Sequence, residues 1–259
     1  MATALITGGT VGLGRAFATR LARDGWDLVL ASRDAAGLEA AAAEFRATFG
    51  VTVEVIPTDL SVRSDTLALA GRLEDASRPI DLLVNNAGFG LHDSLVTLDP
   101  DKLARAIEVM DIAPAILQAA AARAMTGRGK GGIINVTSSA GTLTTGAYSA
   151  VKAWLTIMTE SLAIELRGTG VRVVAVLPGW VETEFHSRAG IKANAFPPFL
   201  KKLVYVTPER VVATALDGLA KDRVVCVPGR RWAFAVWLAR VIPKGLNRKV
   251  SGALTHSRT

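Results

Sequence analysis

The chain has 259 residues, half of them hydrophobic, and a formal net charge of +7. This length and apolar content allow one sizeable hydrophobic core, and α/β folds of this size commonly form one domain. The single cysteine excludes an internal disulfide, and the three histidines are too dispersed for a metal site, so no metal is expected. Neither a signal-peptide pattern nor an apolar run long enough to span a bilayer is present, so we expect a cytoplasmic protein without a transmembrane segment.

The positive charge is concentrated in the C-terminal segment. Residues 229–259 contain seven Arg and Lys side chains and no Asp or Glu, which leaves residues 1–228 neutral overall. A nucleic-acid-binding protein would spread its basic residues over a binding face and carry a recognisable module. Neither is visible, so no nucleic-acid partner is predicted.

Short β-branched and apolar runs alternate with longer Ala- and Leu-rich stretches along the chain. In order they are TALIT, residues 12–23, WDLVLAS, 34–49, VTVEVIP, 62–76, DLLVNN, 100–125, GIINVTS, 147–167, VRVVAVLP and RVVCVP. This alternation is typical of βαβ units, and the near-continuous hydrophobicity of the short runs indicates strands buried on both faces. The sequence therefore predicts an α/β fold with one doubly wound parallel sheet of about seven strands, flanked by helices.

A glycine-rich segment, TGGTVGLG, follows the first predicted strand and opens the first predicted helix. Glycine lets the backbone turn tightly and approach a pyrophosphate without Cβ atoms, while the helix N-terminus presents N–H groups to the anion. Gly8, Gly12 and Gly14 are therefore predicted to bind the phosphates of a dinucleotide. The alternative is a turn that packing alone requires.

The second predicted strand ends in Ala31-Ser32-Arg33. An NAD site usually carries an acidic residue there for the ribose 2′-hydroxyl. An arginine instead favours a 2′-phosphate, which it can bind by charge-assisted hydrogen bonds. We therefore expect NADPH/NADP+ in preference to NADH, the alternative being a solvated arginine at a strand end.

Three side chains that could support carbonyl chemistry lie around the fifth predicted strand: Ser138 at its end, and Tyr148 and Lys152 in the next helix. Residues four apart share a helix face, so Tyr148 and Lys152 lie one turn apart. A reductase must protonate the alkoxide that hydride transfer generates, and a phenol with a free pKa of about 10 needs help to exchange its proton near neutral pH. An adjacent ammonium favours the phenolate, and a serine hydroxyl can hold the carbonyl in line.

The motifs TGGTVGLG, NNAG at residues 85–88, the serine strand, YSAVK and PGWVET, in this order, resemble the short-chain dehydrogenase/reductase family over residues 3 to about 228. The resemblance implies a Rossmann fold, an NAD(P)-dependent oxidoreductase acting on CH–OH or C=O groups, and a homodimer or homotetramer. It assigns Tyr148 as general acid/base, Lys152 as its pKa modifier and ribose ligand, and Ser138 as the residue that orients the carbonyl.

The same resemblance implies a set of cofactor-binding residues: Gly8, Thr10, Gly12, Leu13, Gly14, Arg33, Asp59, Leu60, Asn86, Ala87, Gly88, Tyr148, Lys152, Pro178, Gly179, Val181 and Thr183. Individual members also have structural interpretations. Asn85 and Asn86 could mainly hydrogen-bond the backbone, and Pro178-Gly179 could simply turn the chain.

One position in the helical region before the fifth strand departs from the family pattern. Aligned on Ala113-Pro114, the chain has Met110 where the family usually carries an asparagine that helps to hold a water relay to the lysine. Methionine cannot anchor a water as an amide does. Either Asp111 substitutes through a local helix distortion, or the relay is arranged otherwise, or the enzyme is slow; an alignment error of one residue is a further alternative.

On the substrate side, Tyr148 follows Ser138 by ten residues, a short spacing that either admits a bulkier substrate or reflects loop economy. A lid is expected over residues 184–206. Its apolar residues are Phe185, Phe196, Phe199 and Leu200, its basic ones Arg188, Lys192, Lys201 and Lys202, and His186 is expected to pack rather than catalyse. This composition suits an amphiphile such as a long-chain ketoacyl thioester; alternatively, the aromatics only pack the lid and the lysines only keep it soluble.

The C-terminal extension, residues 229–259, combines an apolar stretch from Trp232 to Ile242 with basic flanks. Eleven residues are too few to span a bilayer, but aromatic side chains beside basic ones suit a helix in an anionic lipid interface, through residues 230–249. The alternative is that these residues cover the substrate pocket or a subunit interface.

The leading hypothesis is NADPH-dependent, reversible reduction of a ketone or aldehyde by residues 1–228, with Tyr148 supplying the proton. The protein would be cytoplasmic, with peripheral contact to the inner face of a membrane as the option that the extension offers. A rival from another class is a non-catalytic NADPH-binding sensor or membrane-associated scaffold, motivated by Met110 and the basic extension. A serine hydrolase using Ser138 is disfavoured because the chain lacks a G-x-S-x-G elbow and a suitably placed histidine.

Overall fold

The computed structural model describes residues 1–91, 93–181 and 205–256, and the side chains of that part as far as residue 252. The strands are β1 (Thr3–Thr7), β2 (Asp27–Ser32), β3 (Val53–Pro57), β4 (Leu82–Asn85), β5 (Gly131–Val136), β6 (Val171–Val176), β7 (Trp180–Val181), β8 (Tyr205–Val206) and β9 (Val225–Cys226). The helices are α1 (Gly12–Arg23), α2 (Ala35–Phe49), α3 (Arg63–Glu74), α4 (Pro100–Ile107), α5 (Ala113–Arg128), α6 (Ala147–Glu165), α7 (Pro208–Ala220), α8 (Arg230–Val241) and α9 (Lys244–His256). A π-helical turn, Glu108–Ile112, joins α4 to α5, and a 3₁₀ turn, Ser139–Thr142, follows β5.

Seven of the strands form one sheet in the order β3-β2-β1-β4-β5-β6-β9, and every neighbouring pair in it is parallel. The chain builds outward from β1 to β3, then returns to the other side of β1 with β4 and continues outward again. A crevice therefore opens at the carboxyl ends of β1 and β4, where the direction of winding reverses. The predicted doubly wound parallel sheet is confirmed.

The sheet separates two hydrophobic layers because successive side chains of a strand point to opposite faces. Ala4 and Ile6 of β1 face a layer that contains Phe17 of α1 and Phe45 of α2. Leu5, between them, faces a second layer formed mainly by α3, α5 and α6. With both faces covered, the central strands are buried along nearly their whole length, as their hydrophobic runs predict.

Local signals fix several helix ends near the crevice. Asp34 caps α2 by accepting a hydrogen bond from the backbone N–H of Gly37 at 3.0 Å, and Gly50 ends that helix in the left-handed region at φ +68°. Val11 precedes α1 without a side-chain cap. The side chain of Val11 therefore leaves the first N–H groups of α1 available to another hydrogen-bond acceptor.

Within the described residues, no helix has the length and apolar character needed to cross a bilayer.

Candidate active site

The glycine turn between β1 and α1 lies at the crevice. Gly8 and Gly12 have φ values of +67° and +54°, in the region that favours glycine. A Cβ atom on Gly14 would collide with the carbonyl oxygen of Gly8 and lie 2.5 Å from the Asn86 side-chain nitrogen. Only a glycine fits this position, so the turn brings bare backbone and the start of α1 together as an anion-binding cradle.

The NNAG segment after β4 holds this turn in place. The Asn86 side-chain amide donates hydrogen bonds to the carbonyl oxygens of Thr7 (2.9 Å) and Gly8 (3.3 Å). In return, the Thr7 hydroxyl accepts hydrogen bonds from the backbone N–H groups of Asn86 (3.0 Å) and Ala87 (3.1 Å). The Asn86 side chain thus braces the backbone of the cradle, which is the structural alternative that the sequence leaves open.

Asn85 belongs to a buried polar network at the centre of the sheet. Its side-chain amide donates to Asn135 Oδ1 at 2.8 Å, and Asn135 donates to Gln118 (2.7 Å) and to the Thr159 hydroxyl (2.9 Å). These bonds tie β4 and β5 to the helices α5 and α6 beneath the site. Buried amides that are hydrogen-bonded in this way keep the two strand ends in a fixed relation.

Arg33 and Asp59 lie at the outer end of the crevice, after β2 and β3. Arg33 is exposed, and its charge helps to lower the pKa of Asp59. Partial burial raises that pKa, but hydrogen bonds from Ser61 and the charges of Arg33 and Arg105 outweigh burial and hold the carboxylate ionised. Leu60, beside it, is buried in the second hydrophobic layer. The outer end therefore offers an exposed guanidinium next to a fixed carboxylate.

The three predicted catalytic side chains meet beside the crevice. Ser138 lies two residues after β5 and caps the 3₁₀ turn, its hydroxyl accepting a hydrogen bond from the N–H of Ala140 at 3.1 Å. That hydroxyl also hydrogen-bonds to the phenol of Tyr148, at the start of α6. The Lys152 ammonium lies 5.9 Å from the centre of the Tyr148 ring and donates to the Val136 carbonyl at 3.2 Å. A hydroxyl, a phenol and an ammonium thus form one cluster.

Burial dominates the proton affinities of this cluster. It raises the pKa of Tyr148 to about 12, against the hydrogen bond from Ser138, which lowers it. It lowers the pKa of Lys152 to about 8, while the nearby charge of Asp111 acts in the opposite direction. At neutral pH the phenol therefore holds its proton and the amine is mainly an ammonium, which is the state that a proton donor needs.

Asp111 lies in the π-helical turn between α4 and α5, close enough to Lys152 for each charge to influence the pKa of the other. Met110 is fully buried, and its sulfur would lie 3.2 Å from a Cβ atom on Gly88. Of the alternatives that the sequence leaves open, a local helix distortion beside Asp111 is the one observed. The distortion lies directly before Pro114, which has no N–H to continue the α-helical hydrogen bonds, so this proline is its local sequence signal.

The loop after β6 contacts the 3₁₀ turn that follows β5 and the C-terminal extension. The carbonyl of Pro178 accepts from the N–H of Ser139 at 2.9 Å, and a Cβ atom on Gly179 would collide with the ring of Trp232. Gly179 is therefore required by the packing of Trp232, a reason that the sequence motif does not reveal. Val181 lies in β7, paired with β8.

The predicted lid and one predicted cofactor residue fall mainly outside the described residues. These are Thr183, Phe185, His186, Arg188, Lys192, Phe196, Phe199, Leu200, Lys201 and Lys202. The glycine cradle, the Arg33 end and the catalytic cluster are therefore the parts of the predicted site that the structure brings together along one crevice.

The C-terminal extension forms part of the wall beside Ser138 and Tyr148. Asn247 of α9 donates to the carbonyl of Thr142 at 3.0 Å, and the Ser251 hydroxyl accepts from the N–H of Thr144 at 3.0 Å. Ser251 is fully buried. The extension thus contacts the segment between Ser138 and Tyr148. Neither Asn247 nor Ser251 could be found from a motif, because each bonds to a residue more than 100 positions away in the sequence.

The residues at the crevice fit a dinucleotide. The cradle at Gly14 has room for an anion but none for a Cβ atom, and the basic residue after β2 lies at the outer end. Gly8, Gly12 and Gly14 would hold the pyrophosphate, with Thr10 and Leu13 in the same turn, and Arg33 would face the ribose at the adenine end. The catalytic cluster would lie at the opposite end.

Comparisons with known proteins agree with this geometry. The family model described as short chain dehydrogenase matches residues 2–193. An uncharacterized oxidoreductase from Myxococcus xanthus is 35% identical over 250 residues, 94% of each chain. The ketoacyl reductase HetN from Nostoc is 33% identical over 224 residues, covering 85% of this chain and 76% of the relative.

A solved structure gives the same result in three dimensions. The short-chain dehydrogenase from Sphingobium yanoikuyae in complex with NADPH superposes with a TM-score of 0.83 at 35% identity, covering 95% of this chain and 94% of the other. The protein is thus an NAD(P)-binding oxidoreductase that acts on CH–OH or C=O groups. By its motifs, its sheet and its relatives, the chain belongs to the short-chain dehydrogenase/reductase family.

Proposed function

We propose that the protein reversibly reduces a ketone or aldehyde to an alcohol with NADPH, and that Tyr148 is the general acid/base. The observation that carries this proposal is the hydrogen bond between the Ser138 hydroxyl and the Tyr148 phenol, next to the buried Lys152. A non-catalytic sensor would have no need for these three groups together. We further propose that residues 1–228 form the catalytic unit and that residues 229–259 extend it.

The chain's own residues would act in a definite order. Ser138 donates a hydrogen bond to the substrate carbonyl oxygen and holds it near the phenol of Tyr148. A bound nicotinamide cofactor supplies the hydride. Tyr148 transfers its proton to the oxygen as negative charge develops there, and the Lys152 ammonium stabilises the phenolate that remains. In the oxidative direction, Tyr148 accepts the proton instead.

The test of this mechanism is Tyr148→Phe, which removes the proton but keeps the ring. We expect turnover to fall by roughly 100-fold or more while NADPH binding, measured by fluorescence titration, stays within about twofold. Ser138→Ala should also lower turnover, whereas the matched control Ser139→Ala should retain most of it. Full activity of Tyr148→Phe would refute the assignment.

The preference for NADPH rests on Arg33. Its exposed guanidinium follows β2 and is close enough to Asp59 to influence the pKa of that carboxylate, which supports a role in binding a 2′-phosphate. The Sphingobium relative was solved with NADPH. Arg33→Ala should lower kcat/KM with NADPH by roughly 10-fold or more and leave that with NADH nearly unchanged, because a lost charged hydrogen bond costs about 1.5–3 kcal/mol. Arg23→Ala, at an exposed helix end, is the matched control.

We propose a bulky, apolar substrate such as a long-chain ketoacyl compound. Tyr148 follows Ser138 by only ten positions, and the wall between them carries the 3₁₀ turn Ser139–Thr142. The Nostoc relative is a ketoacyl reductase. NADPH oxidation with β-ketoacyl thioesters of increasing chain length, steroids and small ketones tests this. The highest kcat/KM with a small ketone would exclude the long-chain assignment.

We also propose that α8 contacts an anionic lipid surface, which would place the protein on the inner face of a membrane. Phe234, Trp237, Leu238 and Val241 share one face of the helix and are exposed, the first two by 62% and 57%. Exposed basic residues flank them: Arg230, Arg231, Lys244, Arg248 and Lys249. Apolar and basic side chains side by side suit a lipid interface.

Vesicle sedimentation tests the lipid proposal. Phe234→Ser with Trp237→Ser should reduce binding to vesicles of phosphatidylglycerol and phosphatidylcholine by roughly 10-fold, whereas Leu67→Ser, at an exposed position of α3, should not. Truncation of residues 229–259 should abolish binding. Unchanged binding after truncation would refute the proposal.

We also propose that the protein forms a homodimer or homotetramer. Helix α6 exposes Trp154, Ile157 and Ile164, apolar side chains that a second copy could cover. Sedimentation velocity of Ile157→Lys against the native chain tests this, since the variant should dissociate. A native chain that sediments as a monomer at micromolar concentration would refute it.

A further inference from the structure

A π-helical turn brings an acidic side chain towards the catalytic cluster. Glu108–Ile112 forms this turn between α4 and α5, and it contacts α6. A π turn carries more residues than an α turn and so rotates the side chains that follow; such turns are frequent at functional sites. Asp111 lies within this turn and is 4% exposed.

The charged groups around Asp111 are few. From α6, Lys152 acts on it and is itself only 5% exposed; Tyr148 lies one turn before Lys152. The other acidic residue of the turn, Glu108, is bound to Arg63 of α3 at 2.8 Å. From α5, the Gln118 oxygen is taken by Asn135. Lys152 is therefore the one cation acting on Asp111 within the described residues.

One oxygen of Asp111 has no hydrogen-bond partner in the part of the chain that the structure describes. A buried carboxylate is stable only when an opposite charge or hydrogen bonds compensate for lost hydration, and the same holds for a buried ammonium. Asp111 and Lys152 therefore depend on each other.

We propose that Asp111 is the buried carboxyl partner of Lys152, a positioning residue that keeps the ammonium charged beside Tyr148 during proton transfer. This inference rests on the proposed role of Tyr148 and Lys152, and it deepens that role by naming the group that sets the working pH range of the site.

The electrostatic directions support the pairing. Burial raises the pKa of Asp111 to about 7, and the charge of Lys152 opposes the rise. Burial lowers the pKa of Lys152 to about 8, and the charge of Asp111 opposes the fall. Removal of the carboxylate would therefore lower the pKa of Lys152 further, so that the ammonium would be lost at a lower pH.

The test is the pH profile of kcat for carbonyl reduction by Asp111→Asn. We expect the alkaline limb, where activity falls as Lys152 loses its proton, to move to lower pH by about one unit. Met110→Leu changes the neighbouring buried side chain without touching a charge and should leave the limb where it is. An unchanged limb in Asp111→Asn would overturn the proposal, because a purely structural role predicts no shift.

A measurement on the native protein covers the case in which the variant does not fold. In a protein labelled with ¹³Cγ-aspartate, NMR should show one carboxyl with a midpoint near pH 7, and Lys152→Met should move that midpoint upward. If Lys152→Met leaves the titration of every aspartate unchanged, the pairing is wrong. Failure of the proposed function would instead appear as activity in Tyr148→Phe, which this titration does not involve.

Discussion

The two ends of the crevice are held together by contacts of different range. At the end proposed for the cofactor, the cradle consists of backbone, and the Asn86 amide braces it directly at Thr7 and Gly8. At the end proposed for the substrate, Asn247 and Ser251 of α9 hydrogen-bond to the wall at Thr142 and Thr144. The first end tolerates no added atom, whereas the second is completed by side chains from the C-terminal extension. Changes at the two ends should therefore separate cofactor binding from substrate handling.

The largest expected effect comes from Gly14→Ala at the cofactor end. The added methyl group would meet the Gly8 carbonyl and the Asn86 amide, both fixed by hydrogen bonds, so the turn must open. We expect NADPH binding to weaken by roughly 100-fold, as expected for about 3 kcal/mol of strain, measured by fluorescence titration.

Gly71→Ala is the control for that change. It adds a methyl group to α3, where a Cβ atom has nothing within 4 Å. Binding should be unaffected, and stability should rise by about 0.5–1 kcal/mol because alanine is the better helix former. Equal losses in the two variants would contradict a cradle specific to Gly14.

A smaller effect is expected from Gly179→Ala, in the loop after β6. The new methyl group would collide with the Trp232 ring of α8, and overpacking of this kind costs about 1–3 kcal/mol in unfolding free energy. In a Trp232→Ala background the same change should cost less than about 0.5 kcal/mol. Denaturant titration of the four proteins measures the coupling, and additive losses would show that Trp232 does not impose the glycine.

The smallest effect is expected at the substrate end, from Ser251→Ala. Loss of the hydrogen bond to Thr144 should cost about 1 kcal/mol locally and raise KM for the carbonyl substrate roughly fivefold, with NADPH binding unchanged. Ser161→Ala, which removes an exposed hydroxyl from α6, is the matched control. A parallel loss of NADPH affinity would contradict the separation of the two ends.

The same contrast explains how far the sequence predicts the molecule. The sheet, the glycine turn and the placement of Ser138, Tyr148 and Lys152 follow from local patterns, because strand hydrophobicity, glycine spacing and helical periodicity act over a few residues. The requirement for Gly14 is likewise visible in its motif.

Roles that depend on contacts between distant parts of the chain cannot be predicted from local sequence patterns. Trp232 determines why Gly179 is a glycine, and Asp111 acts on Lys152 because the π-helical turn contacts α6. Each depends on which elements pack together, and a single sequence does not encode that packing in any local pattern. The sequence does not predict the role of Thr7 for the same reason: its hydroxyl accepts hydrogen bonds from the N–H groups of Asn86 and Ala87, which are 79 and 80 positions away.

The position of Asn247 and Ser251 has a consequence for synthesis. The chain emerges from its N-terminus, so the cradle and its brace are made long before α9 exists. A nascent chain, or one that has lost its last residues to proteolysis, would keep the cofactor cradle but lack the side chains that support the wall at Thr142 and Thr144. The support of this wall by Asn247 and Ser251 therefore begins only when α9 has been synthesised.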